Sequence, residues 1–200
     1  MRLFRNAGRW VLYAFTYGFP TPENCVNLYL RLLVVLMRTL FSRQRGLLEP
    51  SRRSFRVMPL DCDFNMHMNN GRYLTFMDLG RIHMLGQTRM LRAMLRARWM
   101  RVLGAAEINF IRPLRPLRKF QLLTRLVTWD EKYFYVEQRF EAGGRLCAIA
   151  LVKGLFVTKG RRVDSSAVLK MLNFDIDAPR MPEIVRHWND LAALKKKHYG

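Results

Sequence analysis

Apolar residues recur along this chain with two different periods. Beyond Gly71 they follow a helical spacing, Tyr73, Phe76, Met77, Gly80 and Met84 falling on one face at i, i+3, i+4 and i+7. The pattern predicts a long helix with one buried side. From Trp99 onward the period changes, and residues 100–111, 120–129, 133–140 and 146–158 form runs rich in Val, Ile, Phe, Tyr and Thr. Their separators, R-P-L-R-P-L-R-K, D-E-K and E-A-G-G-R, are short, so the runs predict an antiparallel meander. An earlier strand is expected over residues 54–60, where Phe55 and Val57 alternate with Ser54 and Arg56. A strand, a long helix and then consecutive antiparallel strands make an α+β fold, with a sheet wrapped around one central helix. Gly80, on the buried face, would let sheet and helix approach closely.

The two ends differ from this middle. Residues 1–52 carry two apolar runs around a Pro-containing turn. The second, residues 26–41, is interrupted by Arg31 and Arg38 and falls short of the ~20 apolar residues that span a bilayer. No small-residue cleavage site follows a clean apolar core, so a signal peptide fits poorly. What remains is an amphipathic basic extension. Either it lies in a membrane interface, with Trp10, Tyr13, Phe15 and Tyr17 as aromatic anchors, or it packs on the domain. Residues 161–200 read as a C-terminal extension of two helices, with Asp164 or Ser165 capping the first and Pro182 opening the second. The expected division is therefore 1–52, a central domain 53–160, and 161–200.

Between the first strand and the long helix lies the most polar stretch of the chain, L-D-C-D-F-N-M-H-M-N-N-G-R. It brings Asp61, Asp63, Asn65, His67, Asn69 and Asn70 within ten residues. Asn69 and Asn70 suit a helix start, because a short side-chain oxygen accepts from the free N–H groups of the first turn. Those N–H groups and the helix dipole favour negative charge. A carbonyl oxygen can be polarised there, a carboxylate can attack or activate water, and His67 can orient the reacting groups.

Composition narrows the partners. Half of the 200 residues are apolar, enough for one sizeable core, and the net charge is +20. Such a field attracts phosphates, acidic proteins and anionic membranes, and residues 86–98 read as a helical pattern with Arg89, Arg92, Arg96 and Arg98 forming one basic face among Met90, Leu91, Met94 and Leu95. Nucleic acid fits the charge but no binding motif accompanies it. Cys25, Cys62 and Cys147 are odd in number and lack C-x-x-C spacing, so neither disulfides nor zinc is indicated. A reducing, cytoplasmic setting is expected, or a peripheral one at an inner membrane surface. There is no Gly-rich nucleotide loop, no G-x-S-x-G elbow and no metal-ligand cluster, so no cofactor and no metal are expected.

The pattern D-x-D-x-x-x-H-M-N-N-x-x-Y-L resembles the signature of the hotdog-fold acyl thioesterases, the 4-hydroxybenzoyl-CoA thioesterase and acyl-carrier-protein thioesterase groups. The likeness continues through W-M-R-V-L-G-A-A-E-I-N-F-I-R-P-L-R-P and T-W-D-E-K-Y-F-Y-V-E-Q-R-F, over residues 53–160, and is similar in kind to thioesterase superfamily member 6-like proteins. It implies a hotdog fold and hydrolysis of an acyl-CoA or acyl-carrier-protein thioester without a cofactor. Asp63 takes the place of the nucleophile or general base, and Asn65 and His67 complete the D-x-N-x-H spacing. Asn70, Gly71 and Tyr73 are the expected substrate-binding residues. Some members draw their acid from the helix body, which makes Asp78 the reserve acid, otherwise an ion-pair partner of Arg81. The acyl-carrier-protein branch also implies a Glu on the strand after the helix. Here Ile111 and Arg112 occupy that place, with Glu107 a few residues earlier. A homodimer is implied by the family habit. The alternative is a catalytically weak hotdog protein that binds acyl groups or lipid at a membrane.

Overall fold

The computed structural model describes residues 24–199; the aromatic-rich run around Trp10, Tyr13, Phe15 and Tyr17 lies outside the described residues. In order, the elements are helix α1 (Asn24–Leu40), strand β1 (Ser51–Arg56), a 3-10 turn (Pro59–Asp61), helices α2 (Asn70–Gln87) and α3 (Met90–Ala97), and strand β2 (Met100–Phe110). Strands β3 (Lys119–Trp129), β4 (Phe134–Ala142), β5 (Arg145–Thr158) and β6 (Arg161–Val163) follow, and helices α4 (Ser165–Met171) and α5 (Glu183–Tyr199) close the chain. The sheet order is β1-β3-β4-β5-β2, with β6 added to β5, and every pairing is antiparallel. The expected meander is present, but β2 crosses over to pair with β5 and becomes an edge.

The sheet curls around α2, as the helical apolar face required. Tyr73, Phe76, Met77, Gly80 and Met84 are all buried, and they meet Phe120, Leu122, Leu126 and Phe140 from the strands. Phe76 packs edge-on to Phe120 at 5.1 Å and tilted against Phe55 at the same distance. Gly80 is where helix and sheet come closest. A methyl group there would lie 2.7 Å from Leu122 Cδ2 and from Thr124 Oγ1, inside van der Waals contact. Beside it, fully buried Gln138 donates to Met77 O and Thr124 Oγ1, both at 3.0 Å, and accepts from Arg81 Nη1 at 2.7 Å.

Helix α1 packs on α2 and adds a layer outside the sheet. Val35 is buried, and Thr39 fits against Gly86, a contact that leaves no room for a side chain at that glycine. The Thr39 hydroxyl donates to Val35 O at 2.6 Å, so the 2.8 Å bond to His83 is donated by Nδ1–H of the ring. Burial, followed by the charges of Arg53 and Arg45, pushes the His83 pKa down to about 4. The opposite face of α1 exposes Leu30, Leu33, Val34 and Met37, and Phe41, just past the helix end, is 85% exposed. The helix is thus both packed on the domain and apolar on its outer side.

Three expectations shift at their edges. The first strand ends at Arg56, not Leu60, because Asp61 Oδ2 accepts from Met58 N–H at 2.8 Å and Pro59 has no N–H for a ladder, so the chain turns. Residues 86–98 are not one helix. Thr88 Oγ1 bonds back to Met84 O and Leu85 O, Arg89 takes φ 61°, and α3 begins afresh. Asp164 stands at the start of α4 but caps nothing with its side chain, which is drawn to Arg162 instead.

Two outcomes follow from this packing. Gly80→Ala should destabilise the fold by about 1–3 kcal/mol despite alanine's better helix propensity, read by chemical denaturation, because the methyl overpacks a close contact. His83 is neutral in the folded protein and its folded pKa lies below the unfolded value of 6.5. The unfolded chain therefore binds more protons between those values, so stability is full above about pH 6.5 and declines as pH falls toward about 4. Denaturation midpoints measured from pH 7 to 4.5 should fall more steeply in the parent chain than in His83→Gln.

Candidate active site

The polar stretch forms a tight hairpin between the 3-10 turn and α2. Its base is the bond from Asn69 N to Asp61 O at 2.8 Å, followed by a Cys62–Met68 bridge and then Asp63 N to His67 O at 2.9 Å. Met66 N donates to Asp63 O at 3.0 Å and Met66 takes φ 63°, closing the tip. Met68 N donates to Leu114 O at 2.8 Å, tying the hairpin to the connection between β2 and β3. At its foot Asn69 caps α2, its Oδ1 accepting from Gly71 N at 2.9 Å. Of the two asparagines suited to that task, Asn69 performs it and Asn70 is the exposed first residue of the helix.

The two acids of the D-x-D pair have opposite surroundings. Asp61 is 1% exposed, and its oxygens accept from Arg31 Nη1 at 2.9 Å and Nη2 at 2.8 Å. It is consumed by a structural ion pair. Asp63 is half-buried, and one oxygen accepts from Asn65 N at 2.9 Å. The other oxygen has no partner among the described residues.

His67 is half-buried on the opposite strand of the hairpin, and Asn65 is exposed at its tip. The structure therefore gathers Asp63, Asn65 and His67 in one hairpin with Asn70 at its foot. Gly71 is adjacent, but its N–H is taken by the Asn69 cap and is not free for a carbonyl oxygen. The Asn70 N–H, without a protein acceptor among the described residues, is the open donor at that helix start.

Tyr73 points elsewhere. It is buried edge-on between Phe110 and Phe140, each at 4.9 Å, and burial followed by the Cys147 charge pushes its pKa up to about 12. It stays protonated and packs. Cys62 is no thiolate either, since burial and then Asp61 and Asp63 raise its pKa to about 11.

Asp78 stands apart from the hairpin, eight residues beyond Asn70 and so about 12 Å along the helix axis. It is at the mouth of a cavity of about 350 Å³ between α2 and the sheet, whose walls include Met84, Leu85, Leu126, Val136 and Phe156. The expected Asp78–Arg81 ion pair forms at 2.7 Å, and Arg101 from β2 adds a second contact at 3.5 Å. The Glu sought on the strand after the helix is absent from both places. Phe110 faces Tyr73, so by the alternation of the strand Glu107 faces the other side of the sheet, where it meets Asn109 at 3.3 Å. No three His, Cys, Asp or Glu side chains converge to hold a metal ion among the described residues.

Three partners escaped sequence reasoning: Arg31 for Asp61, Arg101 for Asp78, and Gln138 for Arg81. Arg31 did leave a signal. A charge interrupting an apolar helical run needs a buried counter-ion or an exposed face, and the conspicuous surplus acid was Asp61.

Residues 57–189 match the family described as the thioesterase-like superfamily. The protein named THEM6 of Xenopus laevis is 35% identical over 156 residues, covering 78% of this chain and 75% of that protein. Its namesake in Danio rerio is also 35% identical, over 170 residues, with 80% and 79% covered. Among solved structures, YbaW, a probable thioesterase from Escherichia coli, superposes with a TM-score of 0.58 at 20% identity, covering 62% of this chain and 96% of that one. At that identity the likeness speaks to the fold, a sheet curled around a central helix. By its matched domain and its relatives, this chain belongs to the thioesterase-like superfamily and has the hotdog fold.

Proposed function

We propose that the chain hydrolyses an acyl thioester of coenzyme A or an acyl carrier protein, with Asp63 as nucleophile or general base. The observation that carries this is the half-buried Asp63 carboxylate, one oxygen held by Asn65 N–H and the other open, at the start of the helix that also lines an apolar cavity. As base, Asp63 takes a proton from water, whose oxygen attacks the thioester carbon; the thiolate leaves and is protonated. As nucleophile, it forms an anhydride that water then opens. The Asn70 N–H and the helix start would hold the developing oxyanion, while His67 and Asn65 orient the water or the carbonyl. Substrate contact by Asn70 fits its exposure; Gly71 and Tyr73 would contribute through backbone shape and packing. The cavity would take the apolar acyl chain.

The carrier is expected to be anionic. Arg89, Arg92, Arg96 and Arg98 are exposed on and beside α3, ready for phosphates or an acidic carrier protein. A homodimer fits as well: β2 is an eleven-residue edge strand with exposed Val102 and Leu103, a strand edge that seeks a partner. The central unit of 53–160 would then carry the chemistry.

A second reading, an acyl- or lipid-binding protein of weak activity at a membrane, draws on two observations. Glu107 is turned away from α2, and α1 presents a stripe of Leu30, Leu33 and Met37 to solvent, continued by Phe41 just past its end, in a chain of net charge +20. No described helix is long and apolar enough to cross a membrane, so such contact would be peripheral.

Thiol release from a panel of acyl-CoAs separates the readings. Asp63→Asn should lower kcat by about 10²–10⁴ while the protein stays folded, the range for a removed general base or nucleophile. Equal loss in Asp78→Asn, with Asp63→Asn unaffected, would move the chemistry to the cavity mouth. Flotation with anionic vesicles tests the membrane reading: Leu33→Gln with Met37→Gln should abolish it if the outer face of α1 is the contact, and unchanged flotation would refute that.

A further inference from the structure

We infer that Arg31 is a positioning residue for the catalytic hairpin, acting through Asp61 from a helix that precedes the matched domain. The inference rests on the role proposed for Asp63. Arg31 lies outside residues 57–189, yet its guanidinium meets both oxygens of Asp61 at 2.9 and 2.8 Å, a two-point contact that fixes angle as well as distance. The same guanidinium sits over the Phe76 ring, 5.0 Å from its centre, and is thereby seated on α2. The other cation near Asp61, Arg72, approaches only to 3.8 Å. Withdrawal of Arg31 would leave a carboxylate buried to 1% exposure with one distant counter-charge.

What Asp61 holds is the base of the hairpin. Its carboxylate takes Met58 N–H at 2.8 Å, fixing the 3-10 turn that enters the hairpin. Its carbonyl takes Asn69 N–H at 2.8 Å, fixing the cap that leaves it. Asp63 is on the next rung, through its own N–H to His67 O at 2.9 Å. A shift of Asp61 therefore displaces Asp63 and His67 together, relative to the Asn70 N–H.

Helix α1 can bear this load because its seat does not depend on the ion pair. Val35 is buried against the core, and Thr39 is bonded to His83 on α2. Arg31 is thus the brace between a packed helix and a polar hairpin that buries few apolar side chains of its own. It touches no reacting atom. Its effect is on where the open Asp63 oxygen points.

The test uses the full chain with Arg31→Gln, Arg31→Lys and Asp61→Asn, and with Leu33→Gln on the exposed face of α1 as a control. Amide hydrogen exchange at Asp63 and Asn69 is read beside kcat and KM for an acyl-CoA. Arg31→Gln should speed exchange of those two amides at least about tenfold while the amides of β3–β5 keep their protection. It should lower kcat about tenfold or more with little change in KM, since misplacement affects the reacting geometry more than binding. Arg31→Lys should recover part of both, and Arg31→Gln with Asp61→Asn should be no worse than Asp61→Asn alone. Unchanged exchange in Arg31→Gln overturns the brace, and a loosened hairpin with unchanged kcat overturns its positioning role. Should Arg31→Gln lose protection throughout the sheet, Arg31→Met with Asp61→Leu removes both charges at once: a loosened hairpin on an intact sheet supports the brace, and a rigid one overturns it. Absence of turnover by the parent chain on every thioester would be a failure of the Asp63 assignment, and exchange alone would then decide the brace.

Discussion

The structure depends on bringing an eighteen-residue helix to backbone distance from a curled sheet. Gly80 removes the side chain that would hold them apart, and Gln138 fills the polar needs of the contact. A buried amide is tolerated only when its donors and acceptor are satisfied, and here both N–H groups and the carbonyl are engaged. The arrangement sets the rest. With Gly80 against the sheet, the N-terminal end of α2 presents the hairpin, and its C-terminal half leaves the apolar cavity against β4 and β5. Arg81, held by Gln138 at one nitrogen and by Asp78 at another, extends this contact to the cavity mouth.

Two acids separated by one residue have opposite surroundings. Asp61 is enclosed by cations and backbone donors, which makes it a joint between elements. Asp63 has one oxygen committed to the turn and the other without a partner among the described residues. The difference is one of placement, since the side chains are identical. Around them the chain carries a surplus of positive charge, and the two arginines nearest the pair, Arg31 and Arg72, are turned to Asp61.

The fold was legible because its signals are local or periodic. Tyr73, Phe76, Met77, Gly80 and Met84 face the core as their spacing demanded, and the meander strands lie within a residue or two of the apolar runs. The edges were less legible. The end of β1 is decided by a carboxylate five residues beyond it, and the break at Arg89 by a threonine hydroxyl that competes for helix carbonyls. The short β6, Arg161–Val163, has no pattern of its own and exists because β5 is long enough to fold back upon. At the site, the grouping of Asp63, Asn65 and His67 could be read from their spacing, and so could the Asp78–Arg81 pair on one helical turn. The role of Asp61 could not, because its partner is thirty residues away on another helix.

That long-range pair bears on what counts as a self-sufficient unit here. A chain cut at the start of β1 would keep β1 to β6, the central helix and the hairpin, yet it would lose the guanidinium that meets both oxygens of Asp61. The superposed YbaW structure shares the fold over 62% of this chain. The charge balance of the hairpin thus extends one helix upstream of the first strand.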